Sequence, residues 1–358
     1  MSTGAVNLGE LEALARERLP EATYHYFAGG AGDEVTLAEN RDAFARLSLV
    51  PRVLRGPAAR TTATTILGLE LETPALVAPV AYQRAAHPDG ELATARAAAA
   101  AGVAMCLSSL STHGLEDVAA AAGPDAKLLF QLYPYRDRGM TDDVVRRAHA
   151  AGFRALVVTV DVAVHGLRER ELRHAFALPR GCTLPCVPVP PDHTGPVRPH
   201  DVSSLMQPDL SWRDIERFMA LTDLPVVLKG VLSVEDARIA ADLGAAGVVV
   251  SNHGGRQLDT TPATIDVVGV IADAVGDRID VLLDGGVRRG TDVVKALALG
   301  ARAVLIGRPV LWALAAAGQD GVRHALELLK AEIANALALA GCDSPAEATA
   351  ALVRRTAR

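Results

Sequence analysis

The sequence predicts an α/β protein of the (β/α)8 TIM-barrel class, and three observations predict it. Eight short apolar runs recur from residue 75 onward, at 75–80, 103–108, 127–132, 155–160, 225–229, 247–251, 280–284 and 303–306. Seven are uniformly apolar, as parallel strands covered on both faces must be, and the third carries Gln131. Helical segments with their own stop signals lie between them. Residues 90–101 are nearly all alanine after the first turn. Residues 234–243 open with Ser233 and Asp236 in capping-box spacing and close on Gly244. Residues 291–299 end at Gly300. Residues 321–340 place Val322, Leu326, Leu329, Ile333 and Leu337 at helical spacing and stop at Gly341. The third observation is that polar side chains gather where the apolar runs end. Eight strands alternating with helices is the arithmetic of the barrel; a doubly wound open sheet is the alternative.

The whole chain, 1–358, reads as one domain, since barrels of this length are commonly single. Residues 75–342 form the barrel. Residues 1–74 form an N-terminal extension, expected to be helices closing the bottom or rim. Residues 178–210 are rich in Pro, His and Asp without periodicity, so a lid or a disordered loop is expected after the fourth strand. Aromatics are only 4%, so Ala, Val and Leu must build the core.

A net charge of −6 without a basic run argues against nucleic acid as a partner. No uncharged window of about 18 apolar residues is present, so no membrane span is expected. The first residues are polar and lack a signal-peptide core. Four cysteines make no disulfide framework, which suits the cytoplasm. Cys182 and Cys186 lie in the Pro-rich stretch and are read as part of a surface loop; no metal is expected.

Barrel chemistry sits at the C-terminal ends of the strands. Those ends supply Pro79, Val80 and Ala81; Ser108; Gln131 with Tyr133; Thr159 with Asp161; Lys229; Ser251 with His253; Asp284 with Gly285 and Gly286; and Gly307 with Arg308. Within SNHGGRQLD (251–259), His253 and Arg256 can present a base and a fixed cation to one small anionic substrate. After the last two strands come DGGVRRG (284–290) and GRP (307–309). Their glycines let backbone amides approach a phosphate, and Arg288 and Arg308 add charge. No GxGxxG run opens a helix after the first strand, so a Rossmann-type nicotinamide site is not expected.

From about Leu14 to Cys342 the chain resembles the FMN-dependent 2-hydroxy acid oxidases and dehydrogenases, a family that includes glycolate, lactate and 4-hydroxymandelate oxidases. The resemblance rests on YHYFAGGAGDEVTLAENRDAF (24–44), APVAYQRAAHPDGELATARAA (78–98), FQLYPYRDR (130–138), TVDV (159–162), LKGV (228–231), SNHGGRQLD (251–259) and DGGVRRGTDVVKALALGARAVLIGRP (284–309). It implies FMN as cofactor, oxidation of a small (S)-2-hydroxy acid, and dioxygen as electron acceptor with release of hydrogen peroxide. It implies His253 as the base, with Asp161 as its partner. Arg256 and Arg168 would hold the substrate carboxylate, and Tyr26 and Tyr133 would hydrogen-bond carboxylate and hydroxyl. Lys229 would stabilise the reduced flavin at its N1–C2=O edge. Pro79, Val80, Ala81, Ser108, Gln131, Thr159 and Ser251 would line the flavin ring and ribityl chain. Asp284, Gly285, Gly286, Arg288, Gly307 and Arg308 would hold the ribityl hydroxyls and phosphate. The family commonly forms homotetramers.

The chain departs from the family at 162–168, where VAVHGLR stands in place of a segment with Pro and an extra basic residue. Leu110 replaces the bulky aromatic of glycolate-type members, which should open the pocket. Ala81 resembles the oxidases, whereas dehydrogenases more often carry glycine. A dehydrogenase using another acceptor, a type 2 isopentenyl diphosphate isomerase and a non-catalytic flavin-binding barrel are the alternatives.

Overall fold

The computed structural model describes residues 3–55, 60–187 and 197–356. Its centre is a closed barrel of eight parallel strands. They are β1 (Ala75–Val77), β2 (Met105–Ser108), β3 (Leu128–Leu132), β4 (Leu156–Thr159), β5 (Val226–Val231), β6 (Gly247–Val250), β7 (Asp280–Asp284) and β8 (Ala303–Ile306). Each strand pairs with its sequence neighbours, and β8 closes onto β1. All eight coincide with the expected runs, several of them trimmed at their ends.

The two-residue period of a strand explains the barrel's two cores. Leu76, Cys106, Leu129, Val157, Val227, Val249, Leu282 and Leu305 fill the interior. Residues one step away, such as Val77, Leu107, Phe130, Val158 and Leu283, face the surrounding helices. Position i+2 after each interior residue is again inward. That topmost layer reads Ala78, Ser108, Gln131, Thr159, Lys229, Ser251, Asp284 and Gly307. Seven of these eight belong to the residues expected to meet the cofactor.

The N-terminal segment forms three helices, α1 (Leu8–Arg18), α2 (Glu21–Ala28) and α3 (Val35–Ala45). It also forms a hairpin, Thr64–Ile66 with Leu69–Leu71, that the sequence did not announce. Ile66 and Leu71 join the barrel's interior core, and Leu67 N donates to Asp280 at the lower end of β7. The hairpin, not a helix, therefore plugs the bottom, while α2 and α3 stand at the rim. Each hairpin strand exposes its middle residue, Thr65 or Glu70, so no uniformly apolar run marks it ahead of the structure. Leu47–Leu49 pairs antiparallel with Val353–Arg355, tying the two ends of the chain together.

The outer helices include Gly90–Ala100, Val234–Asp242 and Gly290–Ala298, each within a residue or so of expectation. The expected helix 321–340 is the second part of Arg308–Ala340, which is kinked at Ala317 and Gly318. Much of 178–210 is ordered. Met206 bridges Tyr135, Gln207 N donates to Pro134 O, and Pro199–Ser203 is a short helix. Residues 188–196 lie outside the described part, so the expectation for the middle of that loop does as well. Cys186 is not on the surface: it is fully buried, and its carbonyl accepts from the Tyr135 hydroxyl. Among the described residues no helix is long and apolar enough to cross a membrane.

Candidate active site

The strand ends open into one cavity at the top of the barrel. All but three of the expected site residues line it; Gln131, Asp161 and Ser251 stand one layer behind. Gln131 joins two wall residues, accepting from Ser108 Oγ and donating to Thr159 Oγ1, both at 3.0 Å. Lys229 donates to Ser251 Oγ at 2.9 Å and pairs with Asp284 Oδ2 at 2.9 Å. Burial alone would discharge Lys229, but the nearby Asp284 and Asp161 carboxylates outweigh it and raise its pKa, so the ammonium stays charged.

After β6 the chain turns sharply. His253 adopts φ +57° and is followed by Gly254 and Gly255, also left-handed. His253 N donates to Ser251 Oγ. Asn252 exchanges two amide hydrogen bonds with Asn40 of α3, at 2.8 and 2.9 Å, which locks the loop to the rim. The left-handed turn is unusual for a non-glycine residue, and these contacts hold it. It aims the imidazole between two partners. Nδ1 lies 3.0 Å from Asp161 Oδ1, and Nε2 lies 3.2 Å from the Tyr133 hydroxyl. Asp161 reaches this position because Gly230, at φ +110° in a bulge of β5, carries no side chain. A Cβ there would meet Asp161 Cβ and Cγ at 2.6 Å.

Burial lowers the pKa of His253, only partly offset by Asp161, so the ring is neutral near pH 7. Asp161 is pulled the other way. Burial would raise its pKa, but the charges and hydrogen bonding around His253 and Lys229 lower it, and it stays ionised. An ionised Asp161 beside Nδ1 places the ring proton there and leaves the Nε2 lone pair facing Tyr133 and the cavity.

Arg256 is partly buried. Its Nη1 donates to the carbonyls of Tyr26 and Gly29, and its guanidinium lies over the Tyr26 ring at 5.0 Å. Its Nε and Nη2 make no hydrogen bond among the described residues, so one edge of the fork faces the cavity. Tyr26 in turn stacks on Phe176 with ring centroids 4.1 Å apart. Two other arginines line the cavity and also bond to the main chain. Arg168, expected on the substrate carboxylate, spends Nε on Arg256 O and Nη2 on Gln257 Oε1, with Nη1 near Glu171. It braces the backbone that carries Arg256. Arg308, expected on a phosphate, donates to the carbonyls of Phe27, Gly254 and Gly29, pinning the α2 end to the β6 loop. Carbonyl acceptors leave no mark in a sequence, so neither role could be read there.

Arg256, Arg288 and Arg308 line the cavity without a carboxylate within 4 Å among the described residues. Burial pushes all three down, helped by Arg168 at Arg256, by Arg41 at Arg288, and by Arg256 and Arg288 at Arg308; Arg256 and Arg288 fall to about 10 and Arg308 well below the usual guanidinium value. Arg288 and Arg308, without carboxylate partners and close to the glycine turn at 285–286, suit a bound anion. Asp284 Oδ1 is buried without a partner, so it can accept from a ligand hydroxyl. These two observations fit the phosphate and ribityl hydroxyls of FMN.

The cavity also has walls that the sequence reading did not select. Tyr82, at φ +63°, is fully buried, and its hydroxyl has no partner. Val162 and His165 come from the segment after β4, and Pro199, Ser203 and Met206 from the long loop. Ala78 is the eighth member of the top inward layer, and the period-2 count that selects the other seven would have found it.

The chain matches the model of the FMN-dependent dehydrogenase family over residues 15–355. It is 48% identical over 344 residues to glycolate oxidase 3 of Arabidopsis thaliana, covering 94% of this chain and 93% of that protein. It is 48% identical over 345 residues to L-lactate oxidase of Nostoc sp., covering 94% of each. A solved mandelate oxidase with (S)-4-hydroxymandelic acid matches with a TM-score of 0.92 and 48% identity, covering 98% of both chains.

Proposed function

The chain belongs to the FMN-dependent dehydrogenase family and its cofactor is FMN; from that premise we propose that it oxidises (S)-2-hydroxy acids to 2-oxo acids at the cavity above the barrel. The observation that carries this reading is the Asp161–His253–Tyr133 line, which opens on the same space as the free edge of Arg256.

When bound, FMN accepts the two electrons removed from the substrate. The protein does the rest. Arg256 fixes the substrate carboxylate by charge-assisted hydrogen bonds, and Tyr26 packs beneath its guanidinium. Tyr133 hydrogen-bonds the substrate hydroxyl. His253 Nε2 takes the proton that leaves, whether from that hydroxyl or from the α-carbon. Asp161 then faces an imidazolium rather than an imidazole, and its charge stabilises that form. Lys229 brings a fixed positive charge to the inner layer, where electron transfer places negative charge on the cofactor. Arg288 and the backbone of Gly286 and Gly307 would hold the phosphate, and Asp284 would hold a ribityl hydroxyl.

We take dioxygen as the final acceptor, giving hydrogen peroxide; the relatives named oxidases and the residue Ala81 support it. The four free cysteines suit a cytoplasmic setting, and light scattering in solution tests the homotetramer that the family resemblance suggests.

The test is direct. The purified protein should be yellow. Lactate, glycolate, mandelate and 4-hydroxymandelate, added without air, should include one that bleaches the flavin, and air should restore the colour with peroxide formed. If none bleaches it, the substrate reading is wrong.

A further inference from the structure

The mouth of the cavity holds a polar pair that the proton chemistry does not use. His165 lines the wall, and its side chain is 16% exposed. Its Nε2 is buried without a hydrogen bond and lies 3.5 Å from Glu171 Oε1. Glu171 is itself buried, and its Oε2 also lacks a hydrogen bond, although Arg168 Nη1 lies 3.6 Å away. The neighbouring walls, Leu110, Val162 and Met206, are apolar. Buried polar atoms are costly unless paired, so Nε2 and the Glu171 carboxylate face each other and leave the other ring nitrogen for the cavity.

Burial holds His165 below the ordinary imidazole value, with Glu171 pulling the other way, so the ring is neutral near pH 7. A neutral ring has one donor nitrogen and one acceptor. The Glu171 carboxylate beside Nε2 draws the proton to that side. Nδ1 is left as the acceptor, and it makes no hydrogen bond among the described residues. His200, on the short helix Pro199–Ser203, stands edge-on to the ring at 6.2 Å.

We propose that His165, oriented by Glu171, is a second polar subsite that accepts a hydrogen bond from a hydroxyl on the substrate's side chain. The proposal rests on the reading above, in which Arg256 anchors a 2-hydroxy acid. It assigns the substrate class more narrowly: a 2-hydroxy acid with a second hydroxyl beyond C2, aliphatic or phenolic.

Two matched pairs test it, lactate against glycerate and mandelate against 4-hydroxymandelate, each as the (S)-acid. In the wild-type holoenzyme the hydroxylated member of one pair should have a kcat/KM roughly tenfold or more above its partner. The responding pair tells whether the hydroxyl is aliphatic or phenolic. His165→Leu should collapse that ratio toward one. His165→Asn, which keeps a carbonyl acceptor, should restore part of it, and flavin absorbance confirms that both variants are loaded. Equal ratios in wild type and His165→Leu for both pairs would overturn the subsite while leaving the 2-hydroxy acid reading intact. If no acid reduces the flavin, that reading fails and the subsite with it.

Discussion

Nδ1 of His253 lies 3.0 Å from Oδ1 of Asp161, with the second carboxylate oxygen at 3.2 Å. The contact spans 92 residues of sequence and joins the loops after β4 and β6. Asp161→Asn keeps the shape and removes the charge that steadies an imidazolium. Anaerobic flavin reduction by the best substrate should slow by on the order of 100-fold or more, with FMN content unchanged. A rate near wild type would remove Asp161 from the mechanism.

The same pair sets a pH dependence. His253 must be neutral to take a proton, and its pKa lies below the ordinary imidazole value because the ring is buried. The acid limb of the wild-type kcat/KM should therefore have its midpoint below the ordinary imidazole value. The Asp161 charge raises the pKa of His253, so Asp161→Asn should move the acid limb to lower pH still. A limb that moves upward would contradict the assignment.

Arg256 and Arg168 should separate in kinetics. Arg256 presents a free edge to the cavity, so Arg256→Lys should raise KM by about 10- to 100-fold through loss of the bidentate contact. Arg168 holds the Arg256 carbonyl and Gln257 instead. Arg168→Lys should have the smaller effect on KM, and the reverse order would return Arg168 to the substrate carboxylate.

Gly286 sits at φ +84° in the turn after β7, with Asn40 O of α3 lying where a Cβ would go. Gly286→Ala should destabilise the protein by at least ~1–2 kcal/mol from the left-handed backbone alone. The clash should also loosen FMN. Thermal unfolding with and without added FMN checks both; an unchanged melting temperature would show that the turn relaxes freely.

Leu110 lines the substrate end of the cavity and is nearly buried. Leu110→Trp should fill that space, lowering kcat/KM for mandelate far more than for glycolate. Steady-state assays with both acids read the change, and equal losses would place Leu110 away from the side chain.

The barrel was legible because buried parallel strands read as apolar runs, and the inward layer because side chains alternate. Ser108, Thr159, Lys229 and Asp284 each fall two residues past an interior position, so strand ends alone select them. Tyr26 was legible only through family resemblance. It sits on α2, and what joins it to the site is Arg256, 230 residues away, bonding to its carbonyl. The work of Arg168 and Arg308 was hidden for the same reason, since both bind main-chain oxygens. His165 was visible only as a departure in 162–168, and its meaning depends on Glu171 arriving from the following helical turn.

The pairing of Arg288 with Arg308 has a consequence for the life of the protein in a cell. Arg288 and Arg308 repel each other beside the phosphate loops, which opposes folding, and the phosphate of FMN would supply the counter-charge between them. A ligand held only by the folded chain stabilises it in proportion to the logarithm of its concentration. Flavin supply should thus govern how long each molecule survives proteolysis, so abundance would follow vitamin status even at a constant rate of synthesis.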